Sequence, residues 1–81
     1  MFLESHYLVY PEGDAQEIEH RLQFNQIVDM NGHPLPLPLS THRMIVYRVS
    51  KIQRRETRGE TAHYYHLELV SGDELFSLVR T

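Results

Sequence analysis

Apolar and polar residues alternate with a period of two in several stretches of the chain, the pattern of extended strands that bury one face. Residues 2–10 bring together Phe2, Leu3, Tyr7, Leu8, Val9 and Tyr10, which predicts a first strand, and "PEGD" at 11–14 follows as a turn. Over residues 15–24 two periods compete. Strand alternation places Ile18, His20, Leu22 and Phe24 on one face, whereas a helix would be capped by Asp14 with Glu17 and would align Ala15, Ile18 and Leu22. A turn cluster between two period-two runs reads as a hairpin and favours the strand. A second turn is predicted at Asn31-Gly32, two residues that tolerate positive φ.

The strongest strand signal is "RMIVYRVSKIQRR" at 43–55, with "TAHYYHLELV" at 61–70 as its antiparallel partner and Gly59 free to adopt a left-handed conformation between them. Setting residue 56 opposite 60 places Ile45, Tyr47, Val49 and Lys51 on one core-facing surface with Leu69, Leu67, Tyr65 and His63. The other surface then pairs Val46 with Val70, Arg48 with Glu68, Ser50 with His66, Ile52 with Tyr64 and Arg54 with Ala62. In "SGDELFSLVRT" the period changes. Ser71 and Glu74 have capping-box spacing, Asp73 and Glu74 suit a helix start, and Leu75, Phe76, Leu78 and Val79 form an apolar side, so a short C-terminal helix is predicted over one opening of the sheet.

"NGHPLPLPL" at 31–39 invites comparison with proline-rich ligands, but its spacing does not fit them. PxxP recognition uses prolines three apart, whereas Pro34, Pro36 and Pro38 recur every two residues. Period two in an extended segment puts Leu35, Leu37 and Leu39 on one face and strips the N–H donors from one edge, as in a protected edge strand with its leucines buried. The expected fold is therefore mainly β with an α+β character: a single domain over 1–81, built as a small antiparallel barrel-like or strongly curved sheet of about five strands with a short C-terminal helix.

Composition adds limits. The 81 residues are 41% hydrophobic and 23% charged, values of an ordinary folded domain, and they contain no cysteine, which removes disulfides, thiolate ligands and a cysteine nucleophile and points to the reducing cytoplasm. The opening "MFLESHYLVY" has no basic region before its apolar residues, and no uncharged apolar run approaches the roughly 18 residues of a membrane helix. The net charge of −3 divides as −5 over residues 1–42, +4 over 43–60 and −2 over 61–81, so the one basic stretch is the 43–60 hairpin.

Six histidines raise a metal hypothesis that their spacing does not support: His63 and His66 lie three apart on a strand, and His6, His20, His33 and His42 follow no ligand motif. No nucleophile elbow surrounds Ser5, Ser40, Ser50, Ser71 or Ser77, and no glycine-rich phosphate loop is present, so neither an enzyme nor a cofactor is expected. The candidate binding residues are Arg48, Lys51, Arg54, Arg55, Arg58, Tyr64 and His66, where guanidinium groups and stacking rings could meet. Their ordinary counterpart is a solvated hairpin paired with Glu56, Glu60 and Glu68. Met44, Ile45, Val46 and Tyr47 are apolar on both strand faces, which requires barrel closure or an interface. The leading expectation is a non-enzymatic protein-interaction or assembly module, with a protein partner or a second copy. Nucleic-acid or anionic-ligand binding through hairpin 48–58 is the alternative, and a small metal-dependent enzyme the distant one.

Overall fold

The computed structural model describes residues 3–79 as a strongly curled half-barrel of five strands with one short helix. The strands are β1 (Leu3–Val9), β2 (Ala15–Ile18), β3 (Ile27–Val28), β4 (Val46–Thr57) and β5 (Glu60–Val70), and helix α1 spans Gly72–Leu78. They lie in the order β2-β1-β5-β4-β3. Three contacts are antiparallel, but β1 runs parallel to β5 from Leu3↔Glu60 to Val9↔His66, so the sheet is mixed rather than purely antiparallel. The reason is topological: β1 and β5 are joined by the whole intervening chain, long enough to return in either direction, whereas the short β1–β2 and β4–β5 turns force reversal.

Period two prevails at 15–18, where Ile18 pairs with His6 and is buried. The alternation does not persist to Phe24, which is 62% exposed in the loop after β2. The "PEGD" turn closes with Gly13 N donating to Tyr10 O at 2.9 Å. At the second turn Gly32 alone takes positive φ, and Asp29 Oδ1 accepts the Asn31 and His33 amides instead of Asn31 turning left-handed.

The β4–β5 register holds as expected from Val46↔Val70 to Val49↔Leu67, including Arg48 opposite Glu68. Beyond a bulge between Val49 and Lys51 every partner moves by one: Lys51↔His66, Ile52↔Tyr65, Gln53↔Tyr64, Arg54↔His63, Arg55↔Ala62. Thr57 pairs with Glu60 across a two-residue Arg58-Gly59 turn, tighter than the expected one, and the bulge at Ser50 absorbs the offset. Lys51 accordingly leaves the Tyr65 face, and Arg54 leaves the Tyr64 face.

Two apolar clusters occupy opposite faces. Leu8, Ile18, Leu22, Val28, Val49, Tyr65 and Leu67 pack on one, joined by Tyr10 and Tyr47. Ile27, Leu39, Val46 and Val70 pack on the other, covered by Leu35, Met44, Leu75, Leu78 and Val79. The two-faced apolarity near residue 46 is thus absorbed within the chain by α1 and the Pro-Leu segment, although Ile45 and Leu69, expected in the core, are 48% and 54% exposed. Ser71 stands at the helix N-cap without a side-chain capping bond, and the Glu74 carboxylate is turned to Arg48 rather than back to the cap.

The Pro-Leu segment is not a strand. It makes isolated bridges at Val28↔Pro34 and Leu39↔Val79, with Leu35 N donating to Ile27 O at 3.0 Å and Leu39 N to Leu78 O at 2.7 Å. Leu35 and Leu39 pack inward and all three prolines face solvent, as the alternation required, but Leu37 is 55% exposed. It bridges two separate anchor points, one on β3 and one at the helix end, and has no surface beneath it to cover.

Candidate functional site

Beyond the bulge the β4–β5 hairpin becomes an arm: residues 51–60 are all exposed, and the molecule measures 49 × 23 × 16 Å. Strand β3 flanks β4 only at Tyr47 and Arg48, and loop bonds from Asn25 and Gln26 extend that cover to Val49. From Lys51 to Thr57 no strand among the described residues lies against the outer edge of β4.

The seven sequence-predicted residues do not form one site. Arg48 sits at the closed end, where its Nε donates to Glu68 Oε1 at 2.9 Å and its Nη2 to Glu74 Oε1 at 3.0 Å. These bonds, led by Glu74, raise its already high pKa, and the same guanidinium holds the Glu74 carboxyl below the ordinary carboxylate value. Arg48 ties β5 to α1 and is committed to that task. Lys51, Arg55, Tyr64 and His66 do share a face, with Gln53 between them. His66 Nε2 donates to Gln53 Oε1 at 3.1 Å, and Gln53, Arg55, Tyr64 and His66 line a shallow cleft of about 150 Å³. Tyr7 of β1, overlooked in the sequence, stacks on Tyr64 with ring centroids 5.3 Å apart. Arg58 lies in the turn, and Arg54 projects from the opposite face beside Glu56, with which it pairs.

That opposite face carries a cluster that sequence reasoning missed. Glu4 stands beside Thr61 and His6 beside His63 across the parallel β1–β5 contact, and Arg54 lies opposite His63 on β4. The His6 and His63 rings stack at 4.8 Å, and His6 Nδ1 shares a 2.9 Å hydrogen bond with the Tyr65 hydroxyl. Burial first, and the neighbouring His63 second, lower the His6 pKa, although Glu4 at 3.8 Å opposes them. His63 Nε2 donates to Glu4 Oε1 at 3.1 Å, and Arg21 reaches the same oxygen from the loop after β2. Glu4, Arg21, Arg54, Thr61 and His63 enclose a cleft of about 140 Å³. Alternation within 3–9 and 61–67 was available in the sequence as a signal, but it places these residues together only once the strands are known to run parallel.

Among the described residues no group of three or more His, Cys, Asp or Glu is arranged to hold a metal ion. Nor is any described helix long and apolar enough to cross a membrane. The remaining imidazoles lie apart, His20 stacking on His33 and His42 tilting against Phe76.

Residues 2–78 match the protein family described as "Uncharacterised Treponema protein". No curated protein and no solved structure matches the chain.

Proposed function

The chain belongs to that Treponema family, whose description names no activity, and from the geometry of the arm we propose a non-enzymatic protein-interaction module that accepts an extended, acidic protein segment along β4. The observation that carries this reading is the unflanked outer edge from Lys51 to Thr57. Exposed backbone donors and acceptors along an edge can pair with an added strand, which takes its affinity from main-chain bonds and its specificity from alternate side chains. Charge selects the partner. Two copies of β4 paired antiparallel with faces matched would set Lys51 against Arg55 when centred on Gln53, Arg54 against its own copy when centred there, and Arg55 against its own copy, with Arg54 opposite Glu56, when centred on Arg55. Like charges directly opposite are destabilising, and a glutamate- or aspartate-bearing segment avoids these oppositions, so it suits the edge better than a second copy does.

A synthetic strand-forming peptide with alternating glutamates tests the reading. Binding should slow amide hydrogen exchange across residues 51–57, and the Lys51→Glu/Arg55→Glu variant should instead prefer the lysine counterpart of that peptide. Unchanged exchange at 51–57 with every acidic peptide would refute it.

The stacked Tyr7 and Tyr64 rings beside Lys51 and Arg55 favour a second reading, single-stranded nucleic acid on this face. It ranks second because Glu17, Glu60 and Glu68 share the face. Removing charge at Lys51, Arg55 and Arg58 together should abolish such binding and flatten its salt dependence; unaltered binding eliminates it.

A further inference from the structure

The geometry points to a second binding site, for a small monovalent oxyanion of the carboxylate type, in the cleft formed by Glu4, Arg21, Arg54, Thr61 and His63. This site is independent of strand docking, since it opens on the sheet face rather than at the β4 edge.

Four features converge on it. First, about 140 Å³ gives room for a ligand of a few non-hydrogen atoms. Second, the Thr61 hydroxyl oxygen is buried without a hydrogen-bond partner, although the residue is only 2% exposed and lines the cleft. Buried hydroxyls are nearly always bonded, so this one lacks an acceptor or donor that the fold does not supply. Third, the Arg21 and Arg54 side chains remain 68% and 62% exposed, and their present partners are surface carboxylates. Such surface pairs are weak and exchange readily, and a guanidinium fork suits a carboxylate bidentately. Fourth, the charge balance sets the valence. Arg21 and Arg54 are balanced by Glu4 and by Glu56, the partner of Arg54, so the cleft has no surplus charge: a monoanion adds one negative charge and a dianion two, and the first is the better tolerated.

Glu4 has a definite place in this scheme. Its Oε1 is occupied by Arg21 and His63, so its charge is oriented and partly compensated, yet it remains close enough to penalise a second negative charge on the ligand. The site therefore favours carboxylate over sulfate.

The ligand could be a free small carboxylate or the C-terminal carboxylate of a peptide, and the experiment separates them. Acetate is titrated into the full chain at constant ionic strength, with amide resonances followed by NMR. Saturable shifts are expected at Arg54, Thr61 and His63, and Arg54→Gln should weaken binding by about tenfold. Thr61→Val, which keeps shape and removes only the hydroxyl, should weaken it while leaving the fold intact. Competition by a short peptide with a free C-terminus, but not by its amide, would identify a chain terminus; competition by neither leaves a free carboxylate as the ligand. Sulfate should bind less tightly than acetate, and Glu4→Gln should narrow that gap. Linear, non-saturating shifts, unaltered affinity in both Arg54→Gln and Thr61→Val, or sulfate binding as tightly as acetate would overturn the assignment.

Discussion

Gly32 is where the second turn touches the core, and replacing it with alanine tests how tightly the two are coupled. Its φ is +81°, and a Cβ built there would stand 2.7 Å from Leu8 Cδ1 and 2.9 Å from Cδ2. Leu8 is fully buried at the centre of the larger cluster, so its methyl groups have no solvent to swing into. A left-handed alanine costs about 1–2 kcal/mol, and overpacking a filled core adds about 1–3 kcal/mol. Gly32→Ala should therefore lose roughly 2–5 kcal/mol, from a total that for a chain of this size is about 4–12 kcal/mol. Leu8→Val withdraws the atoms that would clash and by itself costs about 1 kcal/mol. In the double variant the new methyl occupies the vacated space, so the steric share disappears and the backbone share stays. Urea unfolding of the four proteins, with a common m-value, should then show the double variant more stable than additivity predicts by roughly 1–3 kcal/mol. A Gly32→Ala cost below about 1 kcal/mol, or strict additivity, would refute the reasoning.

Other expectations follow from the same contacts. The buried His6, whose pKa is lowered in the fold, takes up its proton more readily when unfolded, so stability should fall as pH drops below about 6.5. Thermal midpoints measured across that range should slope less in His6→Gln; equal slopes would remove His6 as the cause. Arg48→Gln should reduce far-UV helical ellipticity, because it frees α1 from β5. The wild-type helix should weaken likewise as pH falls through the depressed Glu74 value, since that carboxylate is stabilised only while ionised. Thr61→Val should raise stability by roughly 1 kcal/mol in the absence of ligand, as replacing an unpartnered buried hydroxyl removes its desolvation cost; a clear loss in chemical denaturation would contradict its unpartnered state.

Local rules were legible along the chain wherever neighbours in sequence are neighbours in space. The turn at 11–14, the helix after Ser71, the Arg48–Glu68 pair and the buried Val49, Leu67 and Tyr65 all follow from short-range pattern. Reading failed where one residue of offset decides a face. The two-residue turn and the Ser50 bulge moved Lys51, Gln53 and Arg55 to the Tyr64 side and Arg54 to the other, exchanging the basic residues that stand beside the Tyr64 ring. Parity cannot reveal a bulge, because the residues on both sides of it alternate correctly. Leu37 failed for another reason: alternation states which residues share a face, and whether anything lies beneath that face depends on the tertiary path. The Glu4–His63 cluster was hidden behind an undetermined strand direction.

The parallel β1–β5 contact has a consequence for how the chain is made. Every pair in it joins residues 57 positions apart, from Leu3 with Glu60 to Val9 with His66. The middle of the sheet is therefore the last part to become available during synthesis: β1 leaves the ribosome early and waits, with Leu8 uncovered, until β5 follows. Folding should be slow relative to its size for that reason, since loop closure must precede the contacts that reward it. Nascent chains stalled before residue 60 would carry a first strand paired only with β2 and open along its other edge, the state most exposed to proteolysis and misassociation.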